Sequence, residues 1–290
     1  MKQLQFVVNP ISGGKSKDKL VKLIERCFPA DIYQIEITFT EREMHATEIT
    51  KKALERNVDS VIAVGGDGTI NEVAQALIGT EVALGIIPYG SGNGLARHLN
   101  MYHSPKKAIE IIKNFHKKTI DTCLINGKPF VCTSGVGFDA YVSSLFAKAG
   151  KRGFQTYVES TLKAFFNYQP ERYVIETEDD SFEVSAFSVT FANASQYGNN
   201  AFIAPQANIE DGYLDVCILQ PFPKWQMPKI GLDLFFRNLP KTKYYQTFRA
   251  KKVTLQRGKS GAVHLDGENF SLGNQLQVSI QPRSLQVLAG

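Results

Sequence analysis

Ser60–Glu72, SVIAVGGDGTINE, joins a short apolar, β-branched run to three glycines placed around an acid, and then to residues of helical period. SVIAV is expected to be a buried strand over Ser60–Val64, and Thr69–Ile78 a helix. In a sheet of parallel strands, ligands bind outside the carboxyl ends of the strands, where this turn falls. Glycines let backbone N–H groups come close to phosphate oxygens, and the N-terminus of the following helix favours anions. An ordinary turn needs one glycine, not Gly65, Gly66 and Gly68 around Asp67. A carboxylate beside phosphates is useful when magnesium lies between them, and this makes Asp67 a candidate for the metal.

The same rhythm continues on both sides of this stretch. Leu4–Asn9 is expected as a strand and Lys17–Phe28 as a helix, with Leu20, Leu23, Ile24 and Cys27 at i, i+3, i+4 and i+7. Tyr33–Phe39 and Ala83–Ile87 are further strands; Met44–Arg56 and Lys106–Phe115 are further helices. Alternating strands and helices predict a mostly parallel, three-layer α/β domain over residues 1–121.

After Asp121 the period changes. CLINGKPFVC is a hairpin turning on Asn126-Gly127, since a type I′ turn needs φ > 0 at both central positions. RYVIETEDDSFEVSAFSVTFA turns on Asp179-Asp180, and LDVCIL, KKVTLQR, AVHLDG, LQVSI and LQVLA follow as short strands. Helical stretches are expected over Ala140–Asn167 and Lys224–Asn238. Residues 122–290 are therefore expected to form a mostly antiparallel β-sandwich domain.

Two more glycine loops follow strands of the first domain. Pro88–Leu99, PYGSGNGLARHL, sets Gly90, Gly92 and Gly94 beside the Ser91 hydroxyl; its GxGxG spacing is not the GxGxxG of a dinucleotide fold. Asn9–Ser16, NPISGGKS, ends like a P-loop, but Asn9 stands where that motif has its first glycine, and Walker A is rejected. In the second half, His264–Glu268 (HLDGE) and Glu210–Tyr213 (EDGY) are each explained, in isolation, as an ordinary Asp-Gly turn.

At 43% hydrophobic and 21% charged, the chain can bury a sizeable core and is not disordered. A net charge of +5, spread rather than blocked, favours an anionic partner such as a nucleotide or lipid headgroup and does not argue for nucleic acid. The four cysteines have no metal spacing, which predicts reduced core thiols. LQFVVN begins without a signal-peptide pattern, and no apolar run reaches the ~18 residues of a membrane span. The expectation is a cytoplasmic protein that visits a membrane surface transiently if its substrate lies there. Its oligomeric state is open, a homodimer included.

Together these motifs resemble the diacylglycerol kinase catalytic-domain family, which includes bacterial lipid kinases and the sphingosine and ceramide kinases. The resemblance runs in order through NPxSGG (Asn9–Gly14), TEREMHA (Thr40–Ala46), GGDGTxNE (Gly65–Glu72), PxGSGNxLAR (Pro88–Arg97), GVGFDA (Gly135–Ala140), DGYLDV (Asp211–Val216) and DGE (Asp266–Glu268). Gly94 departs from the acid that often follows the Asn. The resemblance implies a fold like that of NAD kinase and phosphofructokinase, with a β-sandwich domain and ATP in the cleft between them. It implies nucleotide contacts from Asn9, Pro10, Ser12, Gly13, Thr40, Gly65, Gly66, Asp67, Gly68, Thr69, Asn71, Glu72, Ser91 and Asn93. It also implies a structural magnesium site at Asn208, Asp211 and Tyr213, and Glu268 as proton acceptor.

The function expected is ATP- and Mg2+-dependent phosphorylation of a membrane lipid's hydroxyl, as in phospholipid biosynthesis. Asp67 would hold magnesium on the phosphates, and Glu268 or Asp266 would take the hydroxyl proton. A kinase of a soluble substrate, related to NAD kinase or phosphofructokinase, is one alternative; a non-catalytic lipid-binding relative is another. Peripheral membrane association is expected from Lys224–Lys252. There Trp225, Met227, Phe235, Phe236, Tyr244 and Tyr245 alternate with bases. The same aromatics could instead pack a helix onto the sandwich, with the lysines simply solvated.

Overall fold

A computed structural model describes residues 1–14, 16–101, 104–149, 161–162 and 164–290, the side chains of 146–149 excepted. The chain divides into two compact units, 1–121 with 283–290 and 122–282. The last eight residues, expected in the second domain, return to the first.

In the first unit, strands β1 (Lys2–Val8), β2 (Tyr33–Phe39), β3 (Ser60–Gly65) and β4 (Ala83–Pro88) lie parallel in the order 2-1-3-4. Val287 of the final strand β16 (Gln275–Leu288) pairs with Leu84 of β4. The interior strands read as continuous apolar runs because both faces are covered. Leu4, Phe6, Val8, Ile62 and Val64 pack on Leu20 and Ile24 of α1 (Asp18–Cys27) and on Ile109 and Ile112 of the helix Pro105–Asn114. On the other face α2 (His45–Glu55) and α3 (Asp67–Leu77) pack against each other, α2 touching β1 and α3 touching β3 and β4. This is the three-layer α/β fold expected.

The order 2-1-3-4 has a functional consequence. The chain leaves β1 toward β2 on one side and returns past it to β3 on the other. The connections after β1 and β3 therefore diverge, which opens a crevice at their carboxyl ends.

In the second unit, β7 (Thr133–Gly137), β10 (Ser188–Ala192), β11 (Leu214–Leu219), β12 (Tyr245–Ala250), β14 (Gly261–Leu265) and β15 (Glu268–Leu272) form an antiparallel sheet in the order 12-11-10-7-14-15. A second layer contains β8 (Glu171–Glu176), β9 (Ser181–Ala186), β13 (Lys252–Arg257) and the first part of β16. Inward residues of both layers, among them Phe130, Val136, Tyr173, Val189, Phe191, Leu255 and Val278, make one core. The sandwich expected from the antiparallel rhythm is present.

The hairpin of β5 (Lys117–Ile125) and β6 (Lys128–Phe130) turns on Asn126 and Gly127 at φ 47° and 77°, the positive values its sequence demanded. The expected helical stretch Ala140–Asn167 is helical over Phe138–Ala149 and again within 161–167; residues 150–160 and 163 lie outside the described residues. Lys224–Asn238 is a 3-10 turn, Lys224–Gln226, followed by the helix Met227–Phe235. Among the described residues no helix is long and apolar enough to cross a membrane.

Candidate functional site

Three loops leave the carboxyl ends of β1, β3 and β4, and short hydrogen bonds tie them together. Asn9 N–H donates to Val64 O (2.9 Å), and the Asn9 amide donates to Thr69 Oγ1 (3.1 Å), joining the first loop to the second. Its Oδ1 accepts from Ile11 N–H (3.1 Å), which folds Asn9–Ser12 back on itself. Gly13, at φ 65°, lies so close to Tyr89 that a Cβ would stand 2.5 Å from the Tyr89 carbonyl oxygen. Lys17 is buried beneath this loop, donates to Ser12 O and lies 4.4 Å over the Tyr89 ring; burial pushes its ammonium below the usual range. Lys15 is outside the described residues.

The second and third loops touch backbone to backbone. A Cβ on Gly90 would stand 2.5 Å from Gly66 Cα and 2.8 Å from Asn93 Oδ1, so no side chain fits there. Asp67 closes the junction. Its Oδ1 accepts from Gly94 N–H (2.7 Å) and its Oδ2 from Asn93 N–H (2.8 Å). Asn93, in the left-handed region at φ 53°, pins its own loop by accepting from Gly90 N–H (3.0 Å) and donating to Gly90 O (2.7 Å). Burial raises the Asp67 carboxyl's pKa, against the opposing pull of the Gly94 and Asn93 amides.

The remaining first-unit candidates divide. Thr40 is buried at the end of β2, its N–H on Val8 O (2.9 Å), while Ser91 is exposed in the third loop. Asn71 is buried on α3 and accepts from Gln75 (2.9 Å). Glu72 points elsewhere: its Oε2 accepts from Ala46 N–H (3.0 Å) and its carbonyl from Thr47 Oγ1 (2.9 Å), so it caps the N-terminus of α2.

In the second unit, Leu265–Glu268 is a two-residue hairpin with Asp266 and Gly267 at φ 49° and 88°. The Asp266 carboxylate is turned inward and accepts three backbone amides: Val131 (2.8 Å), Cys132 (2.7 Å) and Thr133 (3.0 Å). That engagement argues against Asp266 as a base, whereas Glu268 is exposed beside it. Asp211 lies in a turn in which its Oδ1 accepts from Tyr213 N–H (3.0 Å) and its Oδ2 pairs with Arg249 (2.8 Å); Asn208 Oδ1 accepts from Glu210 N–H (3.0 Å). Asp215 lies close by, and burial, then the Asp211 charge, push its carboxyl up to about 6.

One cluster escaped the sequence. Asp139 Oδ2 receives Thr190 Oγ1 (2.9 Å), Tyr197 Oη (3.0 Å) and His264 Nε2 (3.2 Å), while Asp139 Oδ1 accepts from Ala140 N–H (2.7 Å). A Cβ on Gly135 would stand 2.8 Å from Asp139 Oδ2, which explains the glycine before this acid. GVGFDA and HLDGE are 124 residues apart in sequence at their nearest, Ala140 to His264, and nothing but the fold joins them.

Comparison with known proteins agrees with this anatomy. Residues 3–125 match the diacylglycerol kinase catalytic domain, and residues 132–289 match the YegS C-terminal NAD kinase beta sandwich-like domain. A Mycobacterium tuberculosis protein named diacylglycerol kinase is 28% identical over 291 residues, covering 97% of this chain and 93% of the relative. The crystal structure of a putative diacylglycerol kinase from Bacillus anthracis superposes with TM-score 0.80 at 23% identity, covering 100% and 97% of the two chains. An NAD kinase from Archaeoglobus fulgidus solved with ATP superposes at 0.57 with 13% identity, covering 98% and 93%, a likeness of fold. With its two halves matched in order and its glycine loops in place, the chain belongs to the diacylglycerol kinase family of lipid kinase-type enzymes.

Proposed function

We propose that this protein transfers the γ-phosphoryl group of ATP to the hydroxyl of a membrane lipid, diacylglycerol or a sphingoid- or ceramide-like lipid, with magnesium. The observation that carries the proposal is the back-to-back contact of Gly66 and Gly90 at the carboxyl end of the parallel strands, locked by Asp67. It brings two glycine loops together at one place without side chains between them, which suits a polyphosphate.

The residues fit the expected cations by the chemistry of their donors. The Asp67 carboxylate accepts the Gly94, Asn93 and Asp67 amides, and a carboxylate offers about four lone-pair sites, so capacity for a hard cation remains. Around Asp211, two carboxylates face one Arg249, and Asp215 has its pKa raised by burial first and by the Asp211 charge second. Magnesium, when bound, would neutralise charge on the phosphates as they transfer.

The chain's own residues do the rest. Asn9, Pro10, Ser12 and Gly13 shape the first loop, and Gly65, Gly66, Gly68 and Thr69 the second. Ser91 adds a hydroxyl in the third. Glu268 takes the proton of the lipid hydroxyl, while Asp266 holds the hairpin that carries it. Glu72 serves by tying α3 to the N-terminus of α2, and Asn71 bonds Gln75 within α3.

The test is phosphorylation of a total lipid extract by the purified chain with ATP and magnesium, read by mass spectrometry, with NAD and fructose 6-phosphate as parallel acceptors. Phosphorylated lipid is expected. Phosphorylation of a soluble acceptor alone would transfer the chain to the other kinase class.

A further inference from the structure

The helix Met227–Phe235 is apolar on two opposite faces. Met227, Ile230 and Leu234 point into a core with Phe165, Phe187, Phe222 and Leu239. Leu232, Phe235 and Phe236 follow at i, i+3 and i+4 on the other side, and Trp225 of the preceding turn continues that stripe seven residues before Leu232. These four are exposed, Trp225 by 75% and Phe236 by 69%. Phe166, 60% exposed, adjoins them, because the Lys224 ammonium donates to its carbonyl (2.9 Å). A helix of a soluble domain normally turns charge, not phenylalanine, to water.

The charge around the patch is one-sided. Lys224–Lys252 contains eight Lys or Arg and one acid, Asp233, whereas the rest of the chain carries 25 bases against 27 acids. Asp233 is itself paired with Lys229 (2.7 Å). Lys224, Lys229, Arg237, Lys241 and Lys243 are exposed, and the turn Leu239–Lys241 packs beside the helix. Tyr245 is buried and Met227 and Tyr244 pack against the same core, so of the aromatics expected at an interface only Trp225, Phe235 and Phe236 remain available for one.

We propose that Trp225, Leu232, Phe235 and Phe236, with the bases around them, form the surface on which this protein docks onto an anionic phospholipid bilayer. Rings with basic neighbours suit headgroup depth, where apolar side chains leave water and cations meet anionic lipid. The choice of a bilayer over another occupant rests on the lipid-kinase reading; the surface itself does not.

Trp225 is the chain's single tryptophan, which makes the test local. The full-length protein is mixed with phosphatidylcholine vesicles, with and without phosphatidylglycerol, without ATP. Trp225 emission should shift to the blue and be quenched by lipids brominated in the acyl chain, more strongly with phosphatidylglycerol and less at high salt. Leu232→Ser/Phe236→Ser should weaken vesicle affinity by about tenfold or more. Lys241→Gln/Lys243→Gln should weaken it by about twenty-five-fold, at roughly fivefold per surface cation. Both variants should retain wild-type melting temperature and turnover on a short-chain acceptor dispersed as monomers.

Vesicle binding that leaves Trp225 emission unchanged would overturn the proposal. So would a serine variant that converts a dimer into monomers with vesicle affinity intact, since the patch would then cover a second copy. A blue shift without any lipid phosphorylation would leave the docking surface standing and remove the proposed reaction instead.

Discussion

Asp67 of the first unit and Asp266 of the second unit have similar sequence settings, each an acid followed by glycine at the end of a strand. Both carboxylates accept backbone amides, yet they lock different things. Asp67 joins two loops 26 residues apart in sequence and holds Gly66 against Gly90, where there is no room for a Cβ. Asp266 bridges from its own hairpin to Val131–Thr133, and the adjoining Gly267 has a positive φ, where a Cβ would meet nothing within 4 Å. The first acid builds a surface of close backbone approach, the second a turn. Glycine is required in one place for space and in the other for a dihedral angle.

The largest effect separates the two acids. Asp67→Asn sets an amide where two N–H groups now point, and it removes a charge proposed to meet magnesium. Turnover should fall by about 10²- to 10⁴-fold while the protein stays folded, measured by lipid phosphorylation alongside circular dichroism. Near-normal turnover would show that the clamp can be rebuilt without the charge.

Glu268→Gln should lower turnover by a similar factor of about 10²–10⁴ with little change in melting temperature, because Glu268 is exposed. Asp266→Asn should do the reverse. Losing the charge that three amides meet costs about 2–3 kcal/mol, seen as a fall of roughly 5–10 °C in melting temperature. An Asp266→Asn protein of unchanged stability but as inactive as Glu268→Gln would turn the comparison over and give the chemistry to Asp266.

A smaller effect concerns pH and metal around Asp211. Asp215 has a raised pKa, so its ionisation opposes folding: that contribution is at its best below about pH 4, the unfolded value, and is lost as pH rises through about 6. A cation there offsets the loss. Added magnesium should therefore raise the melting temperature at pH 7.5, do so much less at pH 5, and lose its effect in Asp211→Ala. Equal stabilisation of wild type and Asp211→Ala would remove the proposed structural site.

The smallest effect sharpens the glycine contrast. Gly267→Ala should cost only about 1 kcal/mol, from its positive φ, in denaturant unfolding. Gly90→Ala, at ordinary φ, should cost more, because the neighbouring atom is backbone and cannot swing away.

Periodicity and turn chemistry are local, and for that reason Ser60–Glu72, the Asn126-Gly127 turn and the change of rhythm near Asp121 could be read directly from the chain. The glycine loops were legible too, since three glycines around an acid have few other uses. Other features depend on long-range packing, and no local pattern records it. The return of residues 283–290 to the first unit brings the Arg283 N–H to the buried Asp121 carboxylate, 162 residues earlier in sequence (2.7 Å). The same holds for Glu72, which caps α2 and not its own loop, and for Asp139, whose partners Thr190, Tyr197 and His264 come from distant parts of the chain. Sequence alone determined which residues can make strands, helices, tight turns and glycine loops, because those depend on backbone dihedrals and side-chain period. Only the tertiary structure decided which carboxylates face amides and which face water, because a carboxylate's direction is set by the donors that folding brings to it.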